Sequence, residues 1–358
     1  MKLGMFMMPL HPPERDRTEG YEEDLELVVR CDRLGYEEAW IGQHHTLDWE
    51  PIPSNDVFIA NALPRTSNIK LGTGVTIMPL HHPANIATRL AYLDHLARGR
   101  FLVGFGQGGV PCDYELFGLD PAEVGLMTIR GMDMVLKLWE SEAPFELKDE
   151  FWEIKVQNPR PDFDMGNILK PYQKPHPPIA TSIIKAESRG AFTAGERGYI
   201  PISANMVTPE VLKRQWEVYC AGAAKAGRPE PDRADWRVSR SIMVADTDAD
   251  AWEFARADGA YARSYEYLIK ILKAGMVQEA MKLDPGMTDD DIDVPYVLSN
   301  LCIIGSVDTV VQRLREIIDV TGGFGTLLML SQDSDNDERW WRCVELLATE
   351  VVPALSDR

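Results

Sequence analysis

Two adjacent histidines, His44 and His45, are the residues of this sequence whose type and spacing best suit proton-transfer chemistry. Imidazole changes its charge near neutral pH, so either side chain could donate or accept a proton there. The pair follows a short apolar run from Ala39 to Ile41 that suits a buried strand, and Gly42 permits a turn out of the sheet. Because an isolated histidine pair more often hydrogen-bonds loop backbone, the catalytic interpretation depends on the elements around it.

Eight apolar, strand-like runs alternate with helical patterns, at residues 3–8, 36–41, 69–77, 100–105, 179–183, 199–203, 237–245 and 325–330. The runs are continuously apolar, as in strands buried on both faces, and repeated βα units indicate a parallel sheet. Eight units favour a closed barrel over an open doubly wound sheet. We therefore predict an α/β fold, a single (β/α)8 TIM-like barrel with insertions, over residues 1–358. The histidine pair then follows the second strand, at the face where barrel enzymes carry their active sites.

Two stretches interrupt the alternation of strand and helix patterns. Residues from about 141 to 178 are rich in prolines and aromatic side chains and show little helical periodicity. Residues from about 259 to 298 are partly helical and strongly acidic near their end. We predict that both are insertions into the barrel, because long segments without barrel elements are uncommon inside a compact domain.

Charge and cysteine usage limit the classes of partner. With 37 Lys and Arg against 56 Asp and Glu, the formal net charge is −19, so nucleic acid is not a predicted partner. The five cysteines are scattered and odd in number, which fits reduced thiols and predicts a cytoplasmic location. No apolar run approaches the ~20 residues that cross a bilayer, and the N-terminal apolar run is too short for a secretory signal.

Two alternative interpretations of the motifs are disfavoured. The glycine-rich stretch Gly104–Gly109 follows a strand, but its spacing differs from GxGxxG and Pro111 comes soon after, so no dinucleotide-binding loop is predicted. The four histidines at positions 44, 45, 81 and 82 could in principle bind a metal. No carboxylate stands at the spacing of a known ligand set such as HExxH, so we predict no metal site.

Seven short motifs occur in a fixed order between residues 42 and 325: Gly42–His45, Ile69–Val75, Pro79–Pro83, Gly99–Phe101, Ala194–Gly198, Gly305–Val310 and Thr321–Gly325. Together they resemble the bacterial luciferase-like flavin monooxygenases, and most of all the limonene and diketocamphane monooxygenase branch. The resemblance covers essentially the whole chain. Each motif alone is weak, and the order and spacing carry the similarity.

The resemblance implies a fold and an activity. The fold would be a TIM-like barrel with insertions, and the protein would be a homodimer. Reduced FMN (FMNH2), made by a separate NAD(P)H-flavin reductase, would react with O2 to give a C4a-(hydro)peroxyflavin. This species would insert oxygen into a small hydrophobic substrate of the terpene or cyclic ketone type. A peroxyflavin survives only where water is excluded, so dry pocket walls are expected.

The resemblance also assigns roles to individual residues. His44 would act on the peroxide oxygen as a hydrogen-bond donor or base, and His45 would orient the loop. A non-prolyl cis peptide at Gly74–Val75 would lie under the flavin ring. The implied flavin contacts are Met8, Gly74, Val75, Thr76, Gln107, Ser182, Ile184, Lys185 and Ser188, and the implied substrate pocket contains Trp49, Leu80 and Phe105.

The sequence departs from the family at three positions. Gln107 replaces an arginine of the luciferase branch, which removes one charge partner of the flavin phosphate, and Lys185 could supply that charge instead. Gly106 occupies the position of the luciferase reactive cysteine, so no thiol chemistry is expected. Gln43 stands where the family often has glutamate, which removes a charge beside the histidines. Two alternatives stay open: a deazaflavin-dependent oxidoreductase on the same fold and a non-catalytic flavin-binding protein.

Overall fold

Parallel strand pairing closes a barrel in the computed structural model, which describes residues 1–256, 260–332 and 337–356. The strands are β1 (Lys2–Met7), β2 (Glu38–Ile41), β3 (Lys70–Thr73), β4 (Thr76–Ile77), β5 (Phe101–Gly106), β6 (Phe145–Lys148), β7 (Glu153–Val156), β8 (Ile179–Ile183), β9 (Ile200–Ser203), β10 (Arg237–Arg240), β11 (Ile242–Ala245), β12 (Ile303–Ser306) and β13 (Thr326–Leu330). The barrel runs in the order β1, β2, β3, β5, β8, β9, β10 and β13, and β13 pairs with β1 to close it. The predicted (β/α)8 TIM-like barrel is therefore confirmed.

Helices follow most of the barrel strands and cover the outside of the barrel. They are α1 (Arg17–Arg33), α2 (Asn55–Ala62), α3 (Pro83–Ala97), α4 (Pro111–Leu116), α5 (Val124–Glu140), α6 (Arg189–Arg197), α7 (Pro209–Lys225), α8 (Asp248–Arg256), α9 (Ala260–Ala274), α10 (Val294–Tyr296), α11 (Val307–Thr321), α12 (Glu338–Leu346) and α13 (Val352–Ser356). The helical faces pack on the outward side chains of the strands in one large hydrophobic cluster. None of the described helices is long and apolar enough to cross a membrane.

The barrel interior is filled by one large ring and small neighbours. Trp40 packs inside the barrel with Leu102, Ala180, Ile202 and Leu328. A Cβ atom at Gly72 would lie 2.5 Å from the Trp40 ring, so only glycine leaves room for the indole at this place. This dense packing makes the barrel a rigid support for the loops at its C-terminal end.

Two predicted strands are interrupted in the structure. The run 69–77 is split into β3 and β4 at Gly74–Val75, and that peptide bond is cis, as the family resemblance implies. The run 237–245 is split into β10 and β11 at Ser241, because Asn205 accepts a hydrogen bond from the Ser241 amide at 2.7 Å. Beyond this break β11 pairs with β12 outside the barrel, and the sequence analysis missed β12.

Both predicted insertions contain regular structure. The first holds the antiparallel pair β6 and β7, which the sequence analysis missed because no Asn-Gly or Asp-Gly turn marks the hairpin. The second holds α9 and α10, and its predicted first residue, 259, lies outside the described residues. The exact boundaries of the barrel and of its two insertions stay a prediction.

Candidate active site

A loop from Gly42 to Pro53, here called the histidine loop, leaves the C-terminal end of β2. Backbone hydrogen bonds fix its start and its end: the amide of Gly42 donates to Met7 O at 2.8 Å, and the amide of His44 donates to Ile52 O at 3.0 Å. The histidines therefore project from a closed loop at the predicted face of the barrel.

His44 lies between two buried carboxylates. Its Nε2 is 3.5 Å from Glu50 Oε2 and its Nδ1 is 3.7 Å from Asp113 Oδ2. Both acids are 1% exposed, whereas the His44 side chain is 22% exposed. Burial alone would lower the pKa of His44, but the negative charges of Glu50 and Asp113 outweigh burial and raise it. The two acids therefore favour the protonated form of the imidazole, whose two nitrogens both face carboxylate oxygens.

Asp113 organises the histidine loop from α4. Its Oδ1 accepts hydrogen bonds from Thr46 Oγ1 at 2.6 Å and from the His45 amide at 3.2 Å. Burial by itself would raise the pKa of Asp113, but hydrogen bonds and the charge of His44 lower it. The carboxylate is thus ionised and serves both as a loop anchor and as a counter-charge.

Asp113 was not among the predicted site residues, because no short helix was predicted directly after the glycine-rich stretch. A proline in the first turn followed by an acidic residue is a helix-start pattern, and it is present here as Pro111 and Asp113. That pattern, placed after the fourth barrel strand, could have located Asp113 at the same face as the histidine pair.

Gln43 joins two neutral histidines. Its Nε2 is 3.1 Å from His45 Nε2 and 3.2 Å from His81 Nε2, and an amide nitrogen can only donate. Burial lowers the pKa of His45, and burial together with the charge of Arg89 lowers the pKa of His81 to about 4. The site therefore holds one histidine whose pKa is raised beside two histidines whose pKa values are lowered. His45 also packs edge-on against Phe117, with ring centroids 4.8 Å apart.

Replacing Gln43 with glutamate is expected to raise the pKa of both His45 and His81. A carboxylate at this place would accept hydrogen bonds from protonated Nε2 atoms and would favour the charged rings. Histidine-selective ¹⁵N NMR titration of the full chain measures both values. The Gln43→Met variant, which is neutral and of similar size, is the matched control. Unchanged titration of His81 in Gln43→Glu would contradict the assigned contacts.

Three of the predicted flavin-ring contacts, Gly74, Val75 and Thr76, form or directly follow the cis peptide. A Cβ atom at Gly106 would be 2.5 Å from Val75 Cγ2, so this glycine lets the Val75 side chain pack directly on β5. Thr76 is 2% exposed and its Oγ1 has no hydrogen-bond partner among the described residues. Asn55, which was not among the predicted site residues, donates hydrogen bonds to Val75 O and Ile41 O, both at 3.1 Å, and ties the segment after the cis peptide to β2. The unpaired Thr76 hydroxyl is a polar group available to a ligand that binds beside this segment.

Most of the predicted phosphate contacts lie at the end of β8 and on the loop that leads to α6. Ser182 lies within β8 and Ile184 directly after it, both half-buried, and Lys185 on the loop is exposed. Ser188 caps α6, and its Oγ accepts a hydrogen bond from the Ala191 amide at 3.2 Å. The remaining amides of this helix start and the Lys185 ammonium suit a phosphate group. Gln107 is exposed on the loop after β5.

The predicted pocket residues differ in position. Trp49 is half-buried and stacks on Tyr267, and Leu80 packs in a small cluster with Ile77, Tyr114 and Val124. Phe105 is 1% exposed and packs in the main core, so it supports the site from beneath and offers no contact surface. Met8 is half-buried, and its carbonyl accepts a hydrogen bond from Ser331 Oγ at 3.1 Å. Among the described residues, no group of three His, Cys, Asp or Glu side chains could hold a metal ion.

Comparisons with known proteins identify the family of this chain. A family model described as luciferase-like monooxygenase matches residues 1–323. The chain is 34% identical to 4-hydroxyprotoasukamycin monooxygenase of Streptomyces nodosus subsp. asukaensis, over 99% of this chain and 92% of that protein. It is 32% identical to limonene 1,2-monooxygenase of Rhodococcus erythropolis, over 98% of this chain and 85% of that protein.

A solved structure with the same fold contains a flavin. It is the oxygenating constituent of 3,6-diketocamphane monooxygenase from Pseudomonas putida, a type II Baeyer–Villiger monooxygenase, in complex with FMN. The two chains superpose with a TM-score of 0.91 at 29% identity, over 99% of this chain and 98% of that chain. The similarity to the limonene and diketocamphane branch that the motifs predicted is thereby confirmed.

Proposed function

Since this chain belongs to the luciferase-like monooxygenase family, we propose that it is the oxygenase component of a two-component, FMNH2-dependent monooxygenase. It inserts oxygen from O2 into a small hydrophobic substrate of the terpene or cyclic ketone type. A separate NAD(P)H-flavin reductase supplies the reduced FMN. The placement of the His44 imidazole between Glu50 and Asp113 at the barrel mouth is the observation that carries the proposal.

Bound reduced FMN supplies the chemistry that activates O2, as a C4a-peroxyflavin in this proposal. The backbone at Gly74–Val75 and the Thr76 hydroxyl would contact the ring system, and the segment from Ser182 to Ser188 would hold the phosphate. The similarity to an FMN-bound oxygenating constituent supports the choice of FMN and the existence of a separate reductase.

His44 serves as a charged hydrogen-bond donor in this proposal and not as a base. Glu50 and Asp113 raise the pKa of His44, which favours the imidazolium form. A positively charged donor stabilises negative charge that develops on oxygen, and it can deliver a proton to a leaving oxygen. Trp49 and Leu80 limit the access of water to the same region.

Anaerobic titration with reduced FMN, followed by rapid mixing with O2 in a stopped-flow spectrometer, tests the proposal. A long-lived absorbance that differs from both reduced and oxidised FMN is the expected result. Immediate formation of oxidised flavin would overturn the oxygenase function. Failure to bind reduced FMN, with binding of a reduced deazaflavin instead, would favour the deazaflavin-dependent oxidoreductase.

Replacing Lys185 with methionine is expected to weaken FMN binding by about fivefold and to leave riboflavin binding unchanged, because the ammonium acts on the phosphate. Fluorescence titration with the two flavins measures the ratio. Lys137→Met is the matched control, because Lys137 lies in the last turn of α5. Equal weakening of FMN and riboflavin would show that Lys185 does not contact the phosphate.

The homodimer and the cytoplasmic location also belong to this proposal. Exposed Val57 on α2 and exposed Tyr92 and Leu96 on α3 support a dimer in which these helices pack together. All five cysteines are free, which is consistent with a reducing compartment. Light scattering of the purified full chain measures the oligomeric state directly.

A further inference from the structure

Helix α9 of the second insertion packs against the histidine loop. Tyr267 on α9 stacks on Trp49, with ring centroids 5.3 Å apart and ring planes at 15°. The guanidinium carbon of Arg263, one turn earlier, lies 5.6 Å from the centre of the Trp49 ring. These contacts join a helix outside the barrel to the loop that carries the catalytic candidates.

The same helix reaches the carboxylate beside His44. The Tyr267 hydroxyl donates a hydrogen bond to Glu50 Oε1 at 2.8 Å. The other oxygen, Oε2, has no hydrogen-bond partner among the described residues and faces His44 Nε2 at 3.5 Å. Within the described part of the chain, the Tyr267 hydroxyl is thus the one hydrogen-bond donor to this fully buried carboxylate.

A buried carboxylate keeps its charge only when donors or positive groups compensate for the lost water. Tyr267 provides the donor to Glu50, and His44 provides the positive group. Without the tyrosine hydroxyl the Glu50 carboxylate is free to turn away from the imidazole, and the attraction that holds the proton on His44 weakens. The titratable groups that face His44 are Glu50 from the histidine loop, Asp113 from α4 and the adjacent His45.

We propose that Tyr267 is a positioning residue for His44: its hydroxyl holds the Glu50 carboxylate in place against the imidazole, so that packing of α9 on the histidine loop fixes the negative charge beside His44. The consequence for oxygenation rests on the proposed function, in which His44 donates a hydrogen bond. The link from Tyr267 through Glu50 to His44 is independent of the proposed function, because it concerns the protein without flavin.

Histidine-selective ¹⁵N NMR titration of the full chain, without flavin, tests the link. The chain has seven histidines, and a His44→Asn spectrum assigns the resonance of interest. Tyr267→Phe keeps the ring that stacks on Trp49 and removes only the hydroxyl. We expect the pKa of His44 to fall by about one unit, a tenfold change in proton affinity.

Tyr21→Phe is the matched control. The Tyr21 hydroxyl also holds the histidine loop, through a 2.7 Å hydrogen bond to Pro51 O, but it does not touch Glu50. We expect the pKa of His44 to be unchanged in this variant. An equal fall in both variants would mean that Tyr267 acts only by fixing the loop, which overturns the proposal.

A double variant tests whether Tyr267 affects the pKa of His44 through the Glu50 carboxylate. Glu50→Gln is expected to lower the pKa of His44, and adding Tyr267→Phe to it is expected to lower the pKa no further. A further fall of the same size in the double variant would overturn the proposal, and so would an unchanged pKa in Tyr267→Phe alone. These outcomes are independent of whether reduced FMN binds, so failure of the proposed function remains distinguishable.

Discussion

Replacing His44 with asparagine is expected to lower the rate of substrate oxygenation by about 10²–10⁴-fold. Asparagine is polar and of similar size, but it cannot hold the extra proton that Glu50 and Asp113 keep on the imidazole. Reduced FMN should still bind, because the implied flavin contacts do not include this side chain. Oxygen consumption should therefore continue, with hydrogen peroxide released instead of oxygenated product.

Product yield per reduced FMN, measured together with hydrogen peroxide, checks this expectation. His82→Asn is the matched control, because His82 also belongs to a histidine pair but is exposed and caps α3 through a 3.3 Å hydrogen bond from the Ala84 amide. The control should retain wild-type yield. Full product yield in His44→Asn would show that His44 has no role in oxygenation, even if reduced FMN binds and reacts as proposed.

The barrel and the position of the histidine pair were predictable from the sequence. Continuous apolar runs alternate with helical periodicity, and this alternation leaves few architectures other than a parallel barrel. Once the run before Gly42 is the second strand, the histidines must lie at the C-terminal face. These inferences need only local patterns and the connection rules of βα units.

The charged partners of His44 were not predictable in the same way. Glu50 follows His44 by six residues and Asp113 follows it by 69, and no periodicity links these positions. They meet because the ends of the second and fourth barrel strands lie at one face, and a short helix then turns Asp113 towards the histidine loop. Tyr267 is more remote still, on an insertion that lies outside the repeating pattern.

The two interrupted strands show a second limit. Apolar runs indicate which residues are buried, but they do not indicate where the backbone stops pairing with the neighbouring strand. At Ser241 the break depends on the side chain of Asn205, whose Oδ1 accepts the hydrogen bond from the backbone amide that would otherwise continue the strand pairing. Contacts between distant residues decide such breaks, and therefore the path of the chain next to the site.

Replacing Asp113 with asparagine is expected to shift the pH dependence of oxygenation to lower pH. The active form of His44 is protonated, so activity is present below its pKa and is lost as the pH rises through it. Asp113 raises that pKa in the native protein, and the neutral side chain removes this effect. The loss of rate should therefore be largest on the alkaline side of the wild-type profile and small on its acidic side, where His44 stays protonated in both proteins.

Glu115→Gln provides the matched control, because it removes the same charge from the exposed side of the same helix. Its pH profile should match that of the wild type. A profile for Asp113→Asn that is lowered equally at every pH would mean that Asp113 only anchors the loop through Thr46 and the His45 amide. A shifted profile would mean that its charge matters.

Glu50 remains in the Asp113→Asn variant. The shift should therefore be smaller than in the Asp113→Asn/Glu50→Gln double variant, where His44 loses both carboxylates and burial alone determines its proton affinity.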